Sequence, residues 1–141
     1  MTLVPAVSKD EEGSVLPLVL GYVLLAIALV IVCADATSLY VAQKRLDALA
    51  DAAALAASDG FELSLAHGEP GARLDPQRMR EQARSVVEVA RNEAVLVAVD
   101  AGDGVSVRVT VAAPWHPPLF SPFVPDGVPL RATATSRNAL D

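Results

Sequence analysis

Hydrophobic and polar positions follow three different patterns along this chain, and each predicts a different element. Residues Gly13 to Ala34 carry no charged side chain, and Val15 to Ala34 supply twenty residues of almost wholly apolar character. At about 1.5 Å per residue, such a helix covers the roughly 30 Å hydrocarbon layer of a bilayer. Past Asp35 the pattern changes to a seam, with apolar side chains at Leu39, Ala42, Leu46, Leu49, Ala53 and Ala56. The alternating three- and four-residue spacing is helical, and no glycine or proline interrupts residues 23–58. A single helix is therefore predicted over residues 14–57, with Ser14 as N-cap, Pro17 in the first turn and Gly60 beyond the stop.

Residues 58–74 read as a connecting loop. Asp75-Pro76 then opens a second helix, with Asp at the N-cap and Pro at the first helical position. Leu74 and Met79 are placed for a hydrophobic staple. Met79, Ala83, Val86 and Ala90 share its apolar face. Three strands follow. The run AVLVAV (94–99) is apolar on both faces and reads as a central strand. In VSVRVTV (105–111), Val105, Val107, Val109 and Val111 fall on one face, and DAGDG before it is a hairpin turn. In VPLRATATSR (128–137), Leu130, Ala132 and Ala134 face inward and Arg131, Thr133 and Thr135 outward. The expected fold class is α+β. A long amino-terminal transmembrane helix continues as an amphipathic helix, then come a second helix and a small three-stranded, mainly antiparallel sheet. The expected organisation is a short acidic leader (1–13), the helix (14–57) and a small α+β domain (58–141).

Composition sharpens this picture at a few points. Hydrophobic residues make up 52% of the 141 residues, and the excess lies in the first span, as a membrane segment requires. The net charge of −6 repels phosphate backbones, so nucleic acid is a poor candidate partner and none is expected. The one cysteine, Cys33, has no partner within the chain for a disulfide. His67 and His116 are the only histidines, and neither has metal-ligand or triad spacing. With no phosphate-binding glycine loop and no nucleophile motif either, we expect no enzyme, no cofactor, no metal and no small-molecule substrate. Asp100 and Asp103 suit turn chemistry better than a calcium loop, which needs more oxygen ligands.

One stretch remains as candidate interaction chemistry. PWHPPLFSPFVPDG (114–127) holds five of the ten prolines and three of the six aromatic residues. Proline stiffens a loop, so Trp115, Phe120 and Phe123 are held at low entropic cost. They either cap the edge of the small core or form a contact patch for another subunit. A secretory signal cut near Ala34-Asp35-Ala36 is the main rival to a retained anchor. The apolar run is too long for such a signal, and its leading residues are acidic rather than basic.

The segment GSVLPLVLGYVLLAIALVIVCADATSLYVAQKRLDALADAAALAAS (13–58) resembles the amino-terminal segment of TadE/TadG-like proteins of the tight-adherence (Flp) pilus assembly system. The resemblance rests on the Gly13-Ser14 opening, the apolar span, Asp35 at its exit, Leu39-Tyr40 leading to Arg45-Leu46, and ADAAALAA. The downstream helix and strands are similar to the small actinobacterial members. This likeness implies a pilin-like (pseudopilin) component in the cytoplasmic membrane, single-pass, with the amino terminus inside and the domain outside. The implied partners are the lipid bilayer and other pilus or secretion-system subunits. The alternative is a membrane-anchored extracytoplasmic binding module outside any filament. It also implies Gly13 and Ser14 as a candidate cleavage site, with Glu five residues on. Leu18 stands there instead, so the carboxylate that would pair with a neighbour's amino terminus is missing. Acids before the glycine and Pro17 after it also argue for an uncut chain.

Overall fold

A computed structural model describes residues 12–66, 69–90, 92–104 and 106–137. Side chains are described in those ranges outside residues 12–14 and 61–74. The leader up to Glu11, His67 and Val105 lie outside the described residues, and so does the Leu74 side chain proposed for the staple.

The first helix, α1 (Glu12–Ser58), is continuous over 47 residues, or about 70 Å. It starts two residues before the expected cap, so Ser14 lies within the helix and Pro17 is an interior proline. The ring at Pro17 leaves the Gly13 carbonyl without its usual intrahelical donor, a loss tolerable one turn from an end. From Val15 to Val32 the large apolar side chains are mostly exposed on every side, and the most apolar window has a mean hydropathy of 3.0 with none of it buried. This helix is long and apolar enough to cross a membrane.

The second half of α1 is the spine of the domain. Residues 58–74 do not form the expected plain loop. They contain an antiparallel hairpin, β1 (Phe61–Ala66) with β2 (Glu69–Leu74). The alternation of Phe61, Leu63 and Leu65 with Glu62 and Ser64 is a strand signal, masked in β2 by Pro70 and Gly71. Helix α2 (Pro76–Val89) begins as expected, the Asp75 carboxylate accepting the Gln77 N–H at 2.9 Å. Its buried face is Met79, Ala83 and Val87, with Val86 half-buried and Ala90 exposed. The expected stripe drifts here because α2 packs against α1 and β3 together rather than against one flat surface.

Strands β3 (Val95–Asp100), β4 (Ser106–Trp115) and β5 (Val128–Arg137) form an antiparallel sheet in the order β3-β4-β5. The apolar β3 is therefore an edge strand, not the central one. Two successive hairpins leave the middle strand in the middle, whatever its neighbours' hydrophobicity. A register shift between Leu96 and Ala98 further irregularises that edge. The turn between β3 and β4 is held by Asp103, whose carboxylate accepts from the Ser106 N–H and hydroxyl, both at 2.6 Å.

The inner face of the sheet presents Val107, Val109, Val111, Ala132 and Ala134, all buried. Leu46, Leu49, Ala50, Ala53, Ala54 and Ala57 of α1 are buried in the same core, where α1 meets both the sheet and α2. The outer face is polar, with the Thr110 and Thr133 hydroxyls 3.0 Å apart across paired strands. Among the described residues seven of the fifteen buried apolar side chains are alanine, so the core is thin and depends on close backbone approach rather than bulk. Each of the three central valines contributes roughly 1.5–3 kcal/mol by burial.

Leu46→Asp should lower the stability of the domain by roughly 3–5 kcal/mol, because it places an unpaired charge against the sheet. Ala48→Asp, one residue pair away on the exposed side of α1, should change it by less than about 1 kcal/mol. Thermal unfolding of both variants in detergent micelles checks the contrast, and equal midpoints would contradict the packing described.

Candidate functional site

Of the seam residues singled out from the sequence, Leu46, Leu49 and Ala53 are buried, Ala42 and Ala56 are half-buried and Leu39 is exposed. Ala50, Ala54 and Ala57 join them in the core. The buried set steps by three, one, three, one and three residues from Leu46, giving a broad stripe rather than the narrow seam of a coiled coil. That width lets α1 touch β4, β5 and α2 at once.

Side-chain hydrogen bonds set the register of α1 against the sheet at three levels. Near its outer end, the Ser136 hydroxyl donates to Ser58 Oγ at 3.2 Å. In the middle, Gln43 Nε2 donates to the Arg131 carbonyl at 3.0 Å. At the foot, the Trp115 indole N–H donates to Ser38 Oγ at 3.2 Å. One helical turn closer to the apolar span, the Leu119 N–H donates to Asp35 Oδ1 at 3.4 Å. Asp35 is only 8% exposed although it is the first charged residue after the span, because residues 115–119 fold over it. Its Oδ2 has no hydrogen-bond partner among the described residues.

The proline-rich segment thus connects β4 to β5 at the foot of the domain, beside the exit of the apolar helix. Trp115 is half-buried and anchors the segment to α1. The Phe120 and Phe123 rings meet tilted at 56°, with centroids 6.4 Å apart, and they are 43% and 80% exposed. Of the three rings, Trp115 is thus held against α1, whereas the two phenylalanines are exposed. At the root of the segment His116 Nε2 lies 3.5 Å from Glu93 Oε2. The segment returns to β5 through Gly127, whose φ of +70° suits glycine. A Cβ there would meet the His116 ring at 2.9 Å and the Trp115 carbonyl oxygen at 3.0 Å.

The sequence did not point to Asp35, Ser38 or Gly127 as parts of this arrangement. Asp35 had a visible signal, a lone acid directly after an apolar span, but its partner is a backbone N–H 84 residues away. Among the described residues no group of three or more histidine, cysteine or carboxylate side chains is placed to hold a metal ion. The clefts on the domain are open and shallow. One of about 250 Å³ is lined by Asp100, Gly102, Asp103, Ser106, Arg108 and Thr135, around a carboxylate already engaged by its own turn.

The apolar helix thus runs without a break into the core of a small α+β domain, and a hydrophobic loop folds back to the junction. Residues 13–60 match the Flp pilus-assembly TadE/G-like family. The match covers α1 almost end to end and about a third of the chain, so the similarity to that family lies in the amino-terminal helix. No curated protein and no solved structure matches the chain.

Gly127→Ala should cost roughly 1–3 kcal/mol, since it forces a left-handed backbone on a side chain that also collides with His116. Gly102→Ala, in the open β3–β4 turn with nothing within 4 Å, should cost far less. Chymotrypsin cleavage at Phe120 and Phe123 reads the local effect, and it should accelerate in Gly127→Ala alone.

Proposed function

We propose that the protein is a pilin-like (pseudopilin) component of a Flp tight-adherence pilus or a related secretion apparatus, anchored in the cytoplasmic membrane and acting through protein–protein contacts. The observation that carries this reading is the coincidence of the family match at residues 13–60 with one unbroken helix. Its first half has no covering among the described residues, and its second half is part of the core of the domain. A helix apolar on every side is stable only where something other than water surrounds it, and a bilayer of about 30 Å has the right thickness.

A retained anchor fits the packing better than a cleaved signal. Cutting near Ala34-Asp35-Ala36 would end the helix at the residue that holds Leu119 and would separate the span from a domain whose spine it shares. In this reading the amino terminus is inside and the domain outside. The partners are the lipid bilayer and other subunits of the apparatus. Nothing in the domain's chemistry requires a substrate or cofactor for such a role.

Loss of the gene should abolish assembled Flp-type pili on cells that make them. Wild-type protein should restore assembly, and a version with residues 15–34 replaced by a cleavable secretion signal should not. Normal piliation in the deletion strain would refute the assembly role. A cysteine at Gly102 in a Cys33→Ala background should react with a membrane-impermeant maleimide in cells whose outer layers have been made permeable. Reaction only after the cytoplasmic membrane is disrupted would reverse the orientation.

Gly13-Ser14 should remain uncut. Without a glutamate at position 18, a new amino terminus at Ser14 would enter the bilayer edge with no counter-charge, at a cost of about 2.5 kcal/mol or more. Intact-mass measurement of the protein from its native membrane checks this, and a species beginning at Ser14 would overturn it.

A further inference from the structure

We infer that the loop of residues 117–125 is a second membrane contact, seated in the headgroup–acyl boundary of the same leaflet from which α1 emerges. The inference rests on the anchored reading above. It assigns lipid, rather than another subunit, to Leu119, Phe120 and Phe123.

Position is the first support. The Leu119 N–H bonds to Asp35, the residue directly after the charge-free run that ends at Ala34. Trp115, at the root of the loop, bonds to Ser38 one turn further out. The loop is thereby fixed at the level where the span leaves the hydrocarbon, with the sheet and α2 above it. A half-buried tryptophan at that level, with its N–H bonded, suits a membrane interface.

Chemistry is the second. No residue from Pro117 to Pro125 is charged. Leu119, Phe120 and Phe123 are 50%, 43% and 80% exposed, an apolar group held beside the exit of the apolar span by the bond of Leu119 to Asp35. The first acid after the loop is Asp126, on the ascending side toward β5.

Backbone donors are the third and most telling support. Apolar side chains alone do not bring a loop into the interface, because unsatisfied N–H groups resist leaving water. Four of these nine residues are proline and have no N–H. The Leu119 N–H is bonded to Asp35, the Phe123 N–H to the Phe120 carbonyl at 2.9 Å, and the Val124 N–H to the Phe120 carbonyl at 3.2 Å. Only the N–H groups of Phe120 and Ser121 are left for headgroups or interfacial water. A water-facing loop has no need for such economy of donors. A loop that lies on lipid does.

The test uses the full chain in vesicles of phosphatidylcholine and phosphatidylglycerol, with a single environment-sensitive fluorophore on cysteine in the Cys33→Ala background. Labels at Leu25→Cys, Phe123→Cys and Gly102→Cys report the span, the loop and the far end of the sheet. Quenching is compared between phosphatidylcholine bearing a nitroxide near the headgroup and one bearing it near the chain end. The loop label should be quenched about twofold or more by the shallow nitroxide and much less by the deep one, as for an interfacial segment. The Gly102 label should be quenched by neither, and the Leu25 label chiefly by the deep one. If the Leu25 label is quenched but the Phe123 label behaves like Gly102, the loop inference fails and the anchor stands. A blue-shifted Phe123 label without nitroxide quenching would mean a protein partner and also overturns it. No quenching at Leu25 would remove the anchored reading and the loop contact with it.

Discussion

The structure depends on the close contact between the small-residue face of α1 and the valine face of β4. Ala50, Ala53, Ala54 and Ala57 leave almost no side chain between helix backbone and sheet, and Val107, Val109 and Val111 fill what space remains. Alanine contributes little buried area per residue, so the contact gains chiefly from the close approach that small side chains permit. Because the first half of α1 has no packing partner among the described residues, this contact is also what attaches the domain to the span. Disrupting it would leave an apolar helix and an unsupported sheet. A domain of this size has no second core to fall back on.

Continuity of α1 turns that packing into an orientation. A helix that runs without a break from the apolar span into the domain core leaves no flexible linker at the membrane surface. The hydrogen bonds of Gln43, Ser58 and Ser38 to the sheet place β4 and β5 alongside the outer half of α1 and set which end of the sheet faces inward. The foot of the domain and the exit of the span are therefore one surface. A hydrophobic loop placed anywhere else on the sheet would be an aggregation liability. At the foot it adjoins surface that is apolar already.

The chain's local patterns were sufficient for a good part of this. The uncharged run from Gly13 to Ala34, the helical spacing past Asp35, the Asp75-Pro76 helix start and the clean alternation in β4 and β5 all depend on residues near one another in sequence. Periodicity reports such elements directly. The resemblance to TadE/TadG-like proteins rested on the same stretch that matches the family, because its signature is a linear order of residues. What tertiary structure decided lies between distant residues. Apolar β3 became an edge because hairpin connectivity, not hydrophobicity, selects the middle strand. Residues 58–74 formed a hairpin although Pro70 and Gly71 conceal the β2 half. The seam widened to include Ala50, Ala54 and Ala57 because α1 faces a sheet and a helix together. Above all, Asp35 and Leu119, or Ser38 and Trp115, have no relation in the sequence, separated as they are by 84 and 77 residues. Sequence pattern alone could describe the proline-rich loop as hydrophobic and stiff. Only the pairing of β4 with β5 along α1 brings that loop to the end of the apolar span, because the place of a loop is set by the strands it joins and not by its own residues.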